Sequence, residues 1–216
     1  MKFAKTTLAA ATVLAAFSSQ AAGVNLVVNG SFEDNLQAKN SWHIYNNLTG
    51  WNGGVAGIEL RNNVAGAAQD GKNFVELDTT KNSSMSQTLT LTKAGTYEFS
   101  FWYAARTDNK SNMPKNTDSL EWKVGASTGL VLKDWKTTGA TTWQQYTQTF
   151  TYAAPQSVTL SFFAKGKSDS YGGSIDNVSF TNITPVPEPE TYAMLLAGLG
   201  LMGTIARRRN NANKSA

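Results

Sequence analysis

The sequence predicts an all-β protein whose body is an antiparallel, jelly-roll-like β-sandwich, flanked by an N-terminal signal peptide and a single hydrophobic C-terminal helix. Apolar and polar residues alternate through most of the body, which is the period-two pattern of strands that cover a core. Helical periodicity is scarce there, and turn residues such as Asp70-Gly71 and Gly172-Gly173 separate the alternating stretches. Many short strands divided by turns are typical of a sandwich.

Residues 1–22 have the layout of a secretory signal peptide. Lys2 and Lys5 precede an apolar run of about a dozen residues that ends at Phe17, and small residues follow from Ser19 to Ala22. The predicted cleavage follows Ala21 or Ala22. An uncut signal anchor is the alternative, but the run is short for a bilayer span.

The body, residues 23–184, has a length that suits one domain with its own core. Six of the 19 basic residues and two of the 15 acidic residues lie in the terminal segments, which leaves 13 of each sign in the body. A neutral body argues against nucleic acid as a partner. The absence of cysteine excludes disulfides, thiol catalysis and cysteine zinc sites.

The body contains roughly nine predicted strands. In the most regular of them Tyr97, Phe99, Phe101 and Tyr103 point to the core, while Trp102 points to the opposite side. Residues 106–119 are polar and are predicted to form an exposed loop. The predicted strands cover residues 26–28, 74–77, 84–92, 95–105, 120–124, 131–135, 146–152, 157–163 and 175–181.

The C-terminal segment has three successive parts. A proline-rich linker over 185–190 precedes an apolar stretch, and three arginines follow it. The stretch from Tyr192 to Ala206 is a little shorter than the ~20 residues of a typical membrane helix, although flanking residues can extend it. We predict a transmembrane helix over 191–206 and a basic cytoplasmic tail over 207–216, because positive residues stay on the cytoplasmic side.

This order of parts closely resembles the PEP-CTERM sorting signal. The motif residues are Pro187, Glu188 and Pro189, and the basic cluster consists of Arg207, Arg208 and Arg209. The resemblance implies processing by an exosortase, an integral membrane enzyme, after transient attachment to the inner membrane. It further implies delivery to the cell envelope or to extracellular polysaccharide. An ordinary C-terminal membrane anchor is the alternative.

The body resembles galactose-binding-like sandwiches, which include carbohydrate-binding modules. Its start, "NLVVNGSFED", and its end, "GGSIDNVSF", carry the resemblance. In related modules a structural calcium ion occupies a site matched here by the side chains of Glu33 and Asp176, the carbonyl of Gly30 and, as a further carbonyl donor, Lys72. Calcium prefers such oxygen ligands.

Asp176 also stands out by its position in the last predicted strand. Regular alternation places it on the same side of the strand as Val178 and Phe180, so its carboxylate would point toward the core, where an unpaired charge is costly. Calcium would compensate that charge. A strand bulge that lets the side chain reach solvent, or hydrogen bonds from backbone amides, are the alternatives.

The sequence predicts no catalysis. His43 is the only histidine and is interpreted as a surface or rim residue. Paired carboxylates could hydrolyse glycosides, but Glu59, Glu76, Asp78 and Glu121 occupy strand positions that we expect to face solvent.

Six tryptophans remain as a possible basis for sugar recognition, and most are expected in the core or at its corners. We predict that Trp42 and Trp102 contact a sugar. The leading hypothesis is a non-catalytic exported surface or matrix protein associated with exopolysaccharide. A module with a specific sugar ligand and a carbohydrate-active enzyme are the alternatives.

Overall fold

The computed structural model describes residues 23–106, 118–131, 141–184 and 189–212. The chain divides into two compact units, of which one is Gly23–Thr184 and the other comprises the two terminal segments.

The Gly23–Thr184 unit is a sandwich of two antiparallel sheets, each with six strands in the described ranges. The first sheet has the order β1-β4-β5-β12-β7-β10, and the second has the order β2-β3-β6-β11-β8-β9. The strands are β1 Ser41–Tyr45, β2 Asn47–Leu48, β3 Trp51–Gly53, β4 Ile58–Asn62, β5 Asn73–Glu76, β6 Ser84–Leu91, β7 Gly95–Ala104, β8 Leu120–Val124, β9 Ser127–Val131, β10 Gln144–Tyr152, β11 Gln156–Ala164 and β12 Ser174–Asn182.

The hydrophobic core lies between the two sheets. The four inward aromatic residues of β7 are buried as predicted, with exposed fractions of 2% or less. From the second sheet, Phe162 meets Phe101 edge to face at 5.1 Å between ring centroids, and Trp51 lies 6.1 Å from Phe162. All described strand pairs and the whole core lie within residues 23–184, so this unit has what it needs to fold alone.

The predicted strands are confirmed for β5, β6, β7, β8, β10, β11 and β12. Residues 26–28 are not a strand, and the chain near them makes one isolated bridge, Asn25 to Thr181. Only Val131 of the strand predicted at 131–135 is described, as the last residue of β9, and residues 132–135 lie outside the described ranges.

Strands β1 to β4 were not predicted. Every residue of β4 is buried, although Ile58 and Leu60 alternate with the charged residues Glu59 and Arg61 along this strand. The predicted loop at 106–119 lies mostly outside the described residues, but Asp118 at its end is fully buried rather than exposed.

The described part of the terminal unit is one helix, α1 Pro189–Ala212, which confirms the predicted single C-terminal helix. It begins at the last proline of the Pro-Glu-Pro motif, where a missing N–H costs nothing. It also continues through Arg207 to Arg209, so the basic cluster is helical. Within the described ranges, no helix combines the length and the hydropathy that a membrane span requires.

Candidate functional site

The register of the first sheet defines a face turned away from the sandwich core. Leu60 pairs with Val75, and Ile175 pairs with both Val75 and Tyr103, so these residues share the core side. We call the opposite side the outer face. Its residues include Trp42 on β1, Glu59 and Arg61 on β4, Phe74 and Glu76 on β5, Ser174 and Asp176 on β12, and Trp102 on β7.

Loops cover much of this outer face. The backbone of Gln69 and Asp70 contacts Asp176, and Trp143 packs edge to face on Phe74 at 5.9 Å between ring centroids. The Trp143 indole also donates a hydrogen bond to the Ala67 carbonyl at 3.0 Å. The first sheet therefore has buried residues on both sides, not only on the side of the sandwich core.

A network of buried charges occupies the centre of the outer face. Arg61 Nε lies 2.6 Å from Glu59 Oε1, and its Nη2 pairs with Glu76 Oε2. Arg106 Nη1 approaches the same Glu76 oxygen at 3.2 Å, and Gly172 N donates to Glu76 Oε1 at 2.6 Å. Burial raises the pKa of Glu76 to about 8, although both guanidinium groups oppose the rise.

The prediction that the strand carboxylates face solvent is wrong for three of the four. Glu59, Glu76 and Asp78 are 6%, 0% and 0% exposed. Alternation places Glu59 and Glu76 away from the sandwich core, but the covering loops then bury that side. Glu121 is the exception, since it pairs with the half-exposed Lys165 at 3.2 Å.

Asp176 lies beside this network but not where regular alternation would put it. A register shift between Asp176 and Ser179, with Asn177 at φ 47°, turns Asp176 to the outer face while Val178 and Phe180 keep the core side. The parity prediction is therefore wrong. The bulge does not expose the carboxylate, which is 0% exposed.

Backbone amides surround the Asp176 carboxylate. Gln69 N and Asp70 N donate to Oδ2 at 2.7 and 2.9 Å, and Asn177 N donates to Oδ1 at 2.7 Å. Burial nevertheless raises the pKa of Asp176 to about 7. The three backbone hydrogen bonds therefore compensate only partly for the burial of the Asp176 negative charge.

The structure brings the predicted metal residues to one end of the first sheet. Glu33 Oε1 accepts hydrogen bonds from Lys72 N at 2.7 Å and Asn73 N at 2.6 Å, so one loop, residues 69–73, contacts both predicted carboxylates. Gly30 O accepts from Val178 N at 2.9 Å, next to the bulge. The Lys72 backbone N–H donates to Glu33, whereas the resemblance implied that the Lys72 carbonyl would be a calcium ligand.

This donor set fits a hard cation by its chemistry. It offers two carboxylates and nearby backbone carbonyls, and no ion pair of the described residues includes Glu33 or Asp176. The described ranges contain no group of three or more His, Cys, Asp or Glu side chains arranged to hold a metal ion. Carbonyls or water would have to complete the coordination.

The two predicted sugar-contacting tryptophans share the outer face but are not brought together. Trp42 is 54% exposed on β1, and Trp102 is half-buried on β7. Three strands separate β1 from β7, so the two indoles are about 19 Å apart at roughly 4.8 Å per strand. Sequence reasoning missed Trp143, because it lies just before β10, where no alternation marks its direction.

A pocket of about 490 Å³ opens at the end of β4. Asn62 and Asn63 line it together with Gln37, Lys39 and Lys72. Arg61, the residue before Asn62, pairs directly with Trp42. His43 is exposed and contacts only the Tyr45 ring edge to face among the described aromatic residues, in line with the predicted surface histidine.

Residues 24–170 match the family model described as a carbohydrate binding domain, which covers more than half of the chain. The chain belongs to the carbohydrate-binding domain family. A second match, over residues 185–210, is the PEP-CTERM protein-sorting motif. It contains the predicted motif residues and the basic cluster, and confirms that sorting prediction.

Solved carbohydrate-binding modules resemble this carbohydrate-binding domain. A family 61 module in complex with β-1,4-galactotriose is 18% identical at a TM-score of 0.46 and covers 74% of this chain and 99% of that one. A family 16 module is 16% identical at a TM-score of 0.46, and the match covers 73% of this chain and 100% of that one. The xylan-binding CBM22-1 domain of Xyn10C from Paenibacillus barcinonensis is 15% identical at a TM-score of 0.40, and the match covers 76% of this chain and 98% of that one.

No curated protein matches the chain. The two family matches confirm the predicted combination of a sorting signal with a carbohydrate-binding module fold. That combination is consistent with a non-catalytic, exported glycan-binding protein. The sorting motif implies export along the membrane-associated sorting route.

Proposed function

We propose that the 23–184 domain binds a glycan of the producing cell's own exopolysaccharide at the outer face, without cleaving it. The observation that carries this proposal is the combination of an exposed Trp42 indole on β1 with a pocket at the end of the neighbouring strand β4, on a carbohydrate-binding domain. Exposed indoles offer apolar faces on which a pyranose ring packs, and the pocket amides of Gln37, Asn62 and Asn63 offer hydrogen bonds to hydroxyl groups.

The charge of the pocket supports an acidic glycan. Lys39 and Lys72 line it, and no described ion pair neutralises either ammonium group. A carboxylate-bearing sugar would gain from both. Neutral glycans should therefore bind more weakly than uronic-acid polymers of the same length.

The buried acids support binding rather than hydrolysis. A glycosidase needs one carboxylic acid free to protonate the glycosidic oxygen and a second free carboxylate. Glu59 and Glu76 instead pair with Arg61, and Glu76 also pairs with Arg106. Neither carboxylate is held in a way that offers it to a substrate.

The test is to titrate the purified 23–184 domain with the producer's exopolysaccharide and to size the polymer afterwards. Retention with unchanged polymer length supports the proposal, shortened polymer indicates an enzyme, and no retention overturns glycan binding. Trp42→Ala should weaken binding at least tenfold. Leu130→Ala is the matched control, since Leu130 is equally exposed, at 56%, but lies on β9 of the other sheet.

We also propose that an exosortase-type membrane enzyme processes the sorting motif after transient attachment to the inner membrane, and that the product is released to the envelope or the extracellular polysaccharide. Support comes from the exposed apolar stretch of α1 and the arginines that follow it. Mass spectrometry of the extracellular protein should find Arg207 to Arg209 removed. Their presence in the mature form would contradict the proposal.

The third proposal is a structural calcium ion between Glu33 and Asp176. The buried, partly compensated charge of Asp176 and the loop that joins both carboxylates support it. When bound, the ion would supply positive charge and fix the 69–73 loop over the outer face.

A further inference from the structure

A second pair of carboxylates, away from Glu33, lies where β5 ends. Asp78 follows β5 by two residues and is 0% exposed. Its Oδ2 accepts hydrogen bonds from Asp169 N at 3.0 Å and Tyr171 N at 3.3 Å. Its other oxygen, Oδ1, is buried and has no hydrogen-bond partner.

The Asp169 carboxylate faces the same place. Both of its oxygens are buried without a hydrogen-bond partner, while its backbone amide holds Asp78. The Asp169 side chain lies within hydrogen-bond reach of the Asp78 carboxylate, so the two acids are adjacent. No ion pair of the described residues includes either aspartate. Two adjacent carboxylates with three orphaned oxygens need a positive charge or a shared proton.

Asn82 supplies a further oxygen. It forms an antiparallel bridge with Asp78, so the two side chains lie on the same side of the turn. Its Nδ2 donates to Gly166 O at 2.7 Å, and its backbone N donates to Ser168 Oγ at 2.9 Å. Its Oδ1 is buried and has no hydrogen-bond partner.

Backbone hydrogen bonds close the turn and join it to the end of β11, five residues before Asp169. Ser83 N donates to Leu77 O at 2.8 Å, and Ala164 N donates to Ser83 O at 3.0 Å. The oxygens are therefore preorganised, which favours a bound ion over a side-chain rearrangement.

We propose that Asp78, Asp169 and Asn82 bind a hard divalent cation, calcium, at a site separate from the one proposed at Glu33 and Asp176. Carboxylate and amide oxygens alone form the donor set, as calcium prefers, and water would complete its six to eight ligands. The ion neutralises the two facing carboxylates and uses all four orphaned oxygens.

Such an ion would also fix part of the outer face. Residues 169–172 carry Tyr171, whose ring lies 4.6 Å from the Arg106 guanidinium carbon, and Gly172, whose N–H holds Glu76. A bound ion would therefore hold residues 169–172 in place and, through them, stabilise the positions of Arg106 and Glu76 in the charged network.

Calcium and terbium titrations of the chelator-treated 23–184 domain, followed by calorimetry and terbium luminescence, test this site. Asp169→Asn should remove one molar equivalent of bound ion relative to the wild type, because the Asp169 side chain makes no other hydrogen bond. Asp34→Asn, at an exposed acid, is the control and should remove none. An unchanged stoichiometry in Asp169→Asn overturns the proposal and indicates that the two aspartates share a proton.

The companion variant Glu33→Gln separates the two sites. The proposal expects Glu33→Gln to retain the equivalent that Asp169→Asn loses, whether or not the Glu33 site binds. Crystals of the wild-type domain soaked in terbium chloride provide a measurement that does not depend on a variant folding. An anomalous peak between Asp78 and Asp169 is expected, and its absence overturns the proposal.

Discussion

Replacement of Arg61 by methionine is the sharpest test of the buried network. Arg61 is 2% exposed and pairs with two carboxylates, Glu59 and Glu76, which are themselves buried. Methionine keeps much of the aliphatic stem but removes the charge. Two acids are then left without their shared partner in a place that water hardly reaches.

The expected loss is large for a single substitution. Removing one partner of a buried ion pair costs about 3–5 kcal/mol, and because the pKa of Glu76 is raised to about 8, that acid largely holds its proton at pH 7 and does not count as a second ion pair. Domains of this size are stable by about 5–15 kcal/mol, and each kcal/mol shifts the melting temperature by about 2–4 °C. Arg61→Met should therefore lower the melting temperature by roughly 6–20 °C.

Urea and thermal unfolding of the 23–184 domain at pH 7 measure the effect. Lys165→Met is the matched control, because it breaks the half-exposed pair with Glu121 and should cost at most about 1 kcal/mol. The double variant Arg61→Met with Glu59→Gln should recover part of the loss, since one unpaired charge disappears. If Arg61→Met unfolds with the same midpoint as Lys165→Met, the reasoning about the buried network is refuted.

Three further predictions concern the metal, the pH dependence and the core. In calcium, Glu33→Gln should melt several degrees below the wild type but match it in chelator; equal melting temperatures in calcium would contradict the site. In chelator, stability should fall as pH rises from 5 to 8, because the pKa of Glu76 is raised to about 8 and the folded state holds the proton longer. Glu76→Gln should flatten that slope by up to about 1.4 kcal/mol per pH unit, and a slope unchanged in this variant would refute the assignment. Phe162→Ala should cost about 3–5 kcal/mol in urea unfolding, since Phe162 is fully buried among core rings; a loss below about 1 kcal/mol would contradict its central position.

The sequence pattern is informative where the two faces of a strand differ. Strand β7 carries aromatic residues inward and polar or half-buried residues outward, so its position and direction were predictable. Strand β4 is buried on both faces and carries Glu59 and Arg61 among apolar residues. Ile58 and Leu60 alternate with these two residues, but the burial of the charged side depends on Glu76 and on the covering loops, which lie elsewhere in the chain.

The same limit applies to the candidate site. The parity of Asp176 was misjudged because a one-residue irregularity after it leaves no mark in the local sequence. The covering loops bring Gln69 and Gly172 to acids that are about 100 residues away in the chain. Long-range contacts of this kind cannot be predicted from local patterns, whereas motifs such as the Pro-Glu-Pro triplet can be recognised in the sequence alone.

The bridge between Asn25 and Thr181 has a consequence for how the domain is displayed. It places Asn25, near the start of the sandwich, beside Thr181 in the last strand, and the Asn25 side-chain amide also donates to Val178 O at 3.2 Å and accepts from Phe180 N at 2.9 Å. The start of the domain is therefore held to its last strand by both backbone and side-chain hydrogen bonds. A chain that keeps residues 25–184 therefore retains these contacts, whereas a chain shortened at the N-terminus beyond Asn25 loses all of them.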